Sequence, residues 1–160
     1  MTTPRGVPAA IDWLARAQAA PQQAHKEWAE RGIALLPLGK RFNSVFLPGA
    51  LVHIAAGTSD PDVVQRMFAE LLDGPVIHNR PQHQYYALVE CAPTLRWKQD
   101  YPDAPMLGAG QFLSVPASDL TGPTGLYWAV QPRIAGDLCA TPSVAALIHM
   151  ARDPRRVGAR

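Results

Sequence analysis

Two histidines and two tyrosines stand close together within residues 74–90 of this chain. His78 and His83 flank a short segment containing proline, and Tyr85 and Tyr86 follow it. An imidazole changes charge near neutral pH, so it can bind phosphate through a hydrogen bond or transfer a proton. A hairpin histidine that bonds only to the backbone is the structural alternative. The spacing predicts two strands, with His83 at the mouth of the hairpin between them.

The chain contains a single Asp-x-Asp spacing, at Asp60-Pro61-Asp62. Paired carboxylates at this spacing can hold divalent metal ions for phosphoryl transfer. An Asp followed by Pro is also typical of a helix start, because Asp caps the first turn and Pro is tolerated there. The apolar helical stripe that follows favours the capping interpretation. Asp60 and Asp62 remain the first acids to test if the chain is an enzyme.

Several other functional motifs are missing from the sequence. Cys91 and Cys139 lie far apart with no Cys-x-x-Cys pair, which argues against a zinc site and leaves a single disulfide open. We find no Gly-x-Gly-x-x-Gly, Gly-Lys-Ser/Thr or Gly-x-Ser-x-Gly motif. These absences argue against a dinucleotide-binding loop, a P-loop and an α/β-hydrolase nucleophile.

Composition limits the classes of partner. The chain has 160 residues and a net charge of +2, from 15 Lys and Arg against 13 Asp and Glu. Contact with DNA would therefore need a local patch, such as Lys40-Arg41 or the arginine-rich residues 152–160. The sequence shows neither the apolar core of a secretory signal nor an apolar run of membrane-spanning length. We expect a cytoplasmic chain without a membrane partner.

The apolar periodicity predicts an α+β fold in one domain, with a mixed or antiparallel sheet flanked by helices. Helices are predicted at residues 8–20, 21–31, 60–73 and from 141 onward, where Thr141 is the expected cap. Strands are predicted at 33–38, 44–47, 51–56, 76–78, 84–90, 111–116 and 126–131. We divide the chain into an N-terminal helical segment (1–24), the α+β domain (25–152) and a polar basic tail (153–160).

Three segments, in order, resemble the N-terminal domain of bifunctional DNA primase/polymerases, a branch of the archaeo-eukaryotic primase superfamily. Residues 25–41, HKEWAERGIALLPLGKR, are similar to that family's helix, Arg-Gly pair, apolar strand and basic turn. Residues 76–89, VIHNRPQHQYYALV, are similar to its histidine motif. Residues 107–130, LGAGQFLSVPASDLTGPTGLYWAV, are similar to its Gly-rich segment. The chain looks most like the short, stand-alone members of actinobacteria such as Streptomyces.

This resemblance implies a primase/polymerase-like domain with His83 as its nucleotide-binding histidine. Lys40 and Arg41 would contribute to phosphate binding, Tyr85 would line the site, and Ser118 matches a position of the family's Gly-rich segment.

The acids of the family are not at their expected place. The family carries Asp-x-Asp at the end of a strand before the histidine motif, whereas residues 42–56, FNSVFLPGALVHIAA, contain no acid. Asn43 is the nearest polar residue, and an amide does not supply the charge that two divalent ions need. Arg80, Pro81 and Gln82 replace glycines of the histidine motif.

We therefore expect a degenerate member that has lost catalysis and binds no metal. It would act as a nucleotide- or DNA-binding module or as a regulatory protein. One alternative is an active nucleotidyltransferase that uses Mg²⁺ or Mn²⁺ on relocated acids, Asp60 and Asp62. The other is a protein-interaction scaffold whose former cleft is filled by side chains.

Overall fold

The computed structural model describes residues 7–153 of the chain. Within that range the helices are α1 (Val7–Ala15), α2 (Pro21–Arg31), α3 (Gly49–Ala56), α4 (Pro61–Leu71), α5 (Thr94–Asp100) and α6 (Thr141–Arg152). The strands are β1 (Ile33–Pro37), β2 (Asn43–Pro48), β3 (Val76–Asn79), β4 (Gln84–Val89), β5 (Met106–Leu107), β6 (Phe112–Pro116) and β7 (Leu126–Val130).

Five of the strands form one sheet in the order β5-β2-β4-β3-β7, and β1 pairs with β6 in a separate ribbon. All pairs between these strands are antiparallel. The β2–β4 pair runs from Asn43 opposite Val89 to Pro48 opposite Gln84. The α+β fold class is confirmed, and its sheets are antiparallel rather than mixed.

Alternation along the strands divides the core into two layers, one on each face of the five-stranded sheet. Val45, Tyr85 and Ala87 point to one face, where residues of α3, α4 and α6 cover them. Ile77 and Trp128 point to the other face, which is covered by α1, α2 and the β1–β6 ribbon. The sheet therefore lies between a layer of three helices and a layer formed by two helices and a ribbon.

Local signals account for most helix boundaries. Asp60 caps α4, because its side chain accepts a hydrogen bond from the Asp62 N–H, and Pro61 occupies the first turn. Gly32 ends α2 in the left-handed conformation at φ 76°. The prediction of α6 was wrong about its cap. Thr141 lies inside the helix, Ala140 is the N-cap residue, and no side chain caps the end.

The strand predicted at residues 51–56 is wrong, since these residues belong to α3. Its buried side chains are those of Leu51, Val52 and Ala55, whose separations of one, three and four residues fit a helix packed on the sheet. Pro48, expected in a turn between two strands, is the N-cap residue of α3.

Smaller differences occur elsewhere. The turn expected around Trp97 is the short helix α5, the two-residue strand β5 was not predicted, and α1 ends at Ala15 rather than at residue 20. Both cysteines are free, with Cys91 exposed and Cys139 buried. The predicted basic tail lies outside the described residues, apart from Asp153.

Candidate functional site

The hairpin between β3 and β4 places His83 at its mouth, as the sequence predicts. His83 is exposed and adopts a positive φ of 55°, which is uncommon for a residue with a side chain. Two backbone hydrogen bonds hold it there. The His83 N–H donates to the Arg80 carbonyl at 3.1 Å, and the Gly49 N–H donates to the His83 carbonyl at 2.7 Å. The hairpin mouth is thus fixed against the start of α3.

Gly49 makes this contact possible because it has no side chain. A Cβ atom built on Gly49 would lie 2.7 Å from the His83 carbonyl oxygen, which is closer than real Cβ atoms come to their neighbours. Helix α3 can therefore begin directly against the hairpin.

Behind the hairpin mouth lies a network of two histidines and two tyrosines, all of them buried except the half-buried His53. The ring of His78 stacks on that of Tyr85, with centroids 3.9 Å apart and 5° between the planes. The His78 Nδ1 lies 2.6 Å from the Tyr127 hydroxyl, and the His53 Nε2 lies 3.0 Å from the Tyr85 hydroxyl. We call His53, His78, Tyr85 and Tyr127 the His–Tyr network.

Strand register brings this network together. His78 lies opposite Tyr85 on β4 and opposite Tyr127 on β7, so the three side chains point to the same face of the sheet. Helix α3 covers that face and supplies His53, one helical turn after Gly49.

Burial keeps the network uncharged at neutral pH. Burial is the main cause that lowers the pKa of His78 to about 4, with smaller contributions from the neighbouring His53, Arg80 and His83. Burial also lowers the pKa of His53, as does the nearby His83. For the phenol of Tyr85, burial is the main cause that raises the pKa to about 12.

Arg80 joins the hairpin mouth to the segment that precedes β7. Its N–H donates to the Gly125 carbonyl at 3.0 Å, and its guanidinium donates to the Pro123 carbonyl. Arg80 and His83 are thus the two exposed basic residues of the four-residue loop at residues 80–83.

The other predicted phosphate-binding residues do not come together with His83. Lys40 and Arg41 precede β2 at the end where Asn43 lies opposite Val89, whereas His83 precedes β4 at the opposite end. The five residue steps of β2 separate these ends by about 17 Å. The Arg41 guanidinium lies instead over the Trp13 ring, 5.8 Å from its centroid. Asn43 shares this distant end.

Tyr85 and Ser118 also differ in their relation to the hairpin mouth. Tyr85 lies beneath the mouth and is only 2% exposed, so its ring is part of the core. The Ser118 carbonyl accepts a hydrogen bond from the Gln131 side chain. Gln131 follows Val130, which pairs with Val76 at the end of β3 that lies away from the hairpin. Ser118 therefore lies apart from His83.

Asp60 and Asp62 lie at the start of α4, and the capping interpretation of Asp60 is confirmed. Asp62 lines a small cavity of about 60 Å³ together with Tyr85 and Tyr127. Within residues 7–153, no group of three His, Cys, Asp or Glu side chains is arranged to hold a metal ion.

A larger groove of about 510 Å³ lies between α4 and β7 and shares four lining residues with the small cavity. The shared residues are Asp62, Gln65, Thr121 and Ala129. The groove therefore adjoins the small cavity that Tyr85 and Tyr127 help to line.

Sequence reasoning missed the roles of His53 and Arg80. His53 was placed on a predicted strand, so its position one turn after Gly49 was not visible. Arg80 was noted only as a replacement for a glycine. A signal for α3 was nevertheless present in the helical spacing of Leu51, Val52 and Ala55.

None of the helices within residues 7–153 is long and apolar enough to cross a membrane. In comparisons with known proteins, the chain matches no family model, no curated protein and no solved structure.

Proposed function

We propose that this chain is a non-catalytic module that binds a phosphate-bearing ligand, a nucleotide or the backbone of a nucleic acid, at the mouth of the β3–β4 hairpin. The observation that carries the proposal is the placement of Arg80 and His83 on one short loop whose backbone is held by α3. A fixed loop presents donors to a phosphate with little loss of conformational freedom on binding. The resemblance to primase/polymerase domains, which assigns nucleotide binding to His83, supports the same site.

Electrostatics favour an anion at this position. His53 and His78 stand behind Arg80 and His83, and their pKa values are lowered partly by those positive neighbours. A phosphate at the mouth would offset this repulsion and accept charge-assisted hydrogen bonds from His83 and Arg80.

Two features favour binding without catalysis. Asp60, one of the two acids considered for a relocated metal site, is occupied as a helix cap. The sheet face behind His83, where a reacting group would need space, is filled by the packed rings of His78 and Tyr85. We expect the module to act in the cytoplasm, where nucleotides and DNA are available.

The position of Lys40 distinguishes the two sources of phosphate. It lies about 17 Å from the hairpin end of the sheet, so a free nucleotide at His83 would not reach it. A single DNA strand of several nucleotides bound at His83 would be long enough to reach Lys40. Lys40→Ala should therefore weaken binding of a labelled oligonucleotide and leave binding of ATP or dATP unchanged if DNA is the ligand.

Calorimetric titration of the full chain with ATP, dATP and a 12-nucleotide DNA strand tests the proposal. His83→Ala should weaken binding about tenfold or more, because a hydrogen bond to a charged group contributes about 1.5–3 kcal/mol. His25→Ala is the matched control. His25 is an exposed histidine on α2, away from the hairpin, and its Nε2 lies 3.0 Å from the Asp12 Oδ1.

Three outcomes would contradict the proposal. No binding of any of these ligands at millimolar concentration would exclude a phosphate site at the mouth. Equal loss in His83→Ala and His25→Ala would place binding elsewhere. Manganese-dependent nucleotide incorporation on a primed template, abolished by His83→Ala, would show that the module is an active nucleotidyltransferase.

A further inference from the structure

The outer side of α4 forms an apolar groove that reaches the end of α6. Val63, Met67 and Leu71 of α4 line it together with Met150 of α6, and its volume is about 460 Å³. The three α4 residues lie four positions apart, so they form one stripe along the helix. Val63 is exposed, and the other three side chains pack on the core with only part of their surface. The described part of the chain therefore leaves this stripe partly open to solvent.

Two residues of opposite charge stand beside the apolar stripe. Arg66 and Glu70 complete the lining of the groove, and both are exposed. They are four residues apart on α4, yet neither forms an ion pair with another residue of the range 7–153. The Arg66 guanidinium and the Glu70 carboxylate are thus both accessible to a binding partner.

The groove is complementary to a second copy of itself. When two identical helices pack antiparallel about a two-fold axis, residue i of one contacts residue j of the other, and j contacts i. With the axis at the level of Phe68, midway between Arg66 and Glu70, each Arg66 faces the Glu70 of the second copy. The two apolar stripes then face each other beside these two ion pairs. A parallel arrangement would bring each residue to the level of the identical residue and lose both ion pairs.

We propose that this groove is an interface between two copies of the chain, with the two α4 helices packed antiparallel about a two-fold axis. Burial of the apolar stripes would supply most of the affinity, because exposed ion pairs contribute little. The reciprocal Arg66–Glu70 pairs would fix the register and exclude other partners. Helix α4 has 11 residues, so the interface is small, and we expect the dimer to exchange with the monomer. This association is independent of phosphate binding at the hairpin mouth.

Sedimentation velocity of the full chain, from about 10 µM to about 1 mM, measures the dimer. Arg66→Glu and Glu70→Arg each place like charges opposite one another at two symmetric contacts, so each should weaken dimerisation about tenfold or more. The double variant exchanges the two charges and restores both ion pairs, so it should dimerise within about threefold of the wild type. Lys26→Glu on α2 is the matched control for Arg66→Glu and should leave dimerisation unchanged, because it makes the same change in net charge on the opposite side of the sheet.

A mixture of the two single variants tests the antiparallel register. In Arg66→Glu both positions are acidic, and in Glu70→Arg both are basic. Each variant alone meets like charges, whereas a mixed dimer regains two ion pairs. We expect the equimolar mixture to dimerise about as tightly as the wild type. Both positions are exposed, so both variants should keep the wild-type circular dichroism spectrum and unfolding midpoint.

A pair of apolar substitutions tests the location of the interface. Val63→Gln removes an exposed apolar side chain from the stripe and should weaken dimerisation about threefold or more, because less apolar area is buried. Phe112→Gln removes one from the β1–β6 ribbon, where Phe112 is 59% exposed, and should leave dimerisation unchanged. The proposal is overturned by a chain that stays monomeric up to about 1 mM, by a mixture of the charge variants that does not dimerise, or by dissociation in Phe112→Gln rather than in Val63→Gln.

Discussion

His78 makes the stability of this protein depend on pH in a defined direction. Its pKa is near 6.5 in an unfolded chain and about 4 in the fold, mainly because it is buried. The unfolded chain therefore takes up a proton as the pH falls below about 6.5, while the folded chain does not. Stability that is fully present above that pH is lost as the pH falls toward 4. Between pH 7 and pH 5 the expected loss is about 2 kcal/mol.

Urea unfolding at pH 7 and pH 5 measures this contribution. His78→Phe keeps a ring on Tyr85 but cannot titrate, so its loss of stability between the two pH values should be about 2 kcal/mol smaller than that of the wild type. Tyr127→Phe removes the hydroxyl that lies 2.6 Å from the His78 Nδ1 but leaves the imidazole buried. The Tyr127→Phe variant should therefore lose as much stability between pH 7 and pH 5 as the wild type does. Equal pH dependence in the wild type and His78→Phe would show that His78 is not held neutral.

Gly49 allows a second test at the scale of one residue. Gly49→Ala puts a Cβ atom 2.7 Å from a backbone oxygen of the hairpin, so the helix or the loop must move. We expect a loss of about 1–3 kcal/mol in unfolding free energy, as for other overpacked sites. Gly122→Ala is the control, because a Cβ there meets no atom within 4 Å. A Gly49→Ala variant as stable as the control would mean that the contact is easily relieved.

The sequence was sufficient to place His83 but not its partners. Pro81 and the strands on either side predict a hairpin, and His83 stands at its end whatever the exact register. His78 faces Tyr85 only because the loop has four residues, which sets the pairing. The position of His53 depended on whether residues 51–56 form a strand or a helix. A run of apolar residues this short is compatible with a strand or a helix, and packing on the sheet decided for the helix.

Among the secondary-structure elements, the β1–β6 ribbon is attached to the rest of the protein by two indole groups. The Trp28 Nε1–H donates to the Val115 carbonyl at 2.9 Å, and the Trp128 Nε1–H donates to the Pro116 carbonyl at 3.0 Å. Both bonds are buried and reach consecutive residues of β6. A two-stranded ribbon alone is marginally stable in water, so these contacts and the apolar layer beneath hold it.

Trp28→Phe should loosen the ribbon, because it removes the buried indole hydrogen bond to the Val115 carbonyl, a loss of about 0.5–1.5 kcal/mol. Amide hydrogen exchange at Leu113 and Val115 should accelerate correspondingly. Trp97→Phe is the matched control, because it removes an indole bond to Ala104 at the other side of the molecule. If β6 exchanged equally in both variants, the Trp28 bond would not anchor the ribbon.

At the scale of the whole molecule, the antiparallel pairing of β2 and β4 decides which predicted residues can cooperate. In the sequence, Lys40 and His83 belong to neighbouring motifs of one presumed site. In the fold, they lie at opposite ends of paired strands, a separation of about 17 Å. The order of motifs along a chain does not specify the direction in which each strand runs in the sheet, so this separation could not be predicted from the sequence. The overall α+β class could be predicted, because it depends only on the order of the segments with helical and strand-like apolar periodicity.

Cys139 reports on the integrity of the whole fold, because it lies where the sheet meets the start of α6. Its N–H donates to the Leu88 carbonyl at 2.7 Å, and a Cβ on Gly74 would lie 2.6 Å from its nitrogen. Burial, together with nearby carboxylates, raises the pKa of its thiol to about 12. A thiol that is both buried and protonated does not react with disulfide reagents.

One thiol per native chain, the exposed Cys91, should therefore react with dithionitrobenzoate, and two should react in denaturant. In a Cys91→Ser variant the labelling of Cys139 should require unfolding. Its rate should then rise with urea in proportion to the unfolded population. If Cys139 reacts at a rate that does not depend on urea, the contact of the 131–139 segment with the sheet opens by itself, and α6 can separate from the sheet without global unfolding. Agreement between the labelling rate and the unfolding free energy would show that both faces of the sheet unfold as one cooperative unit.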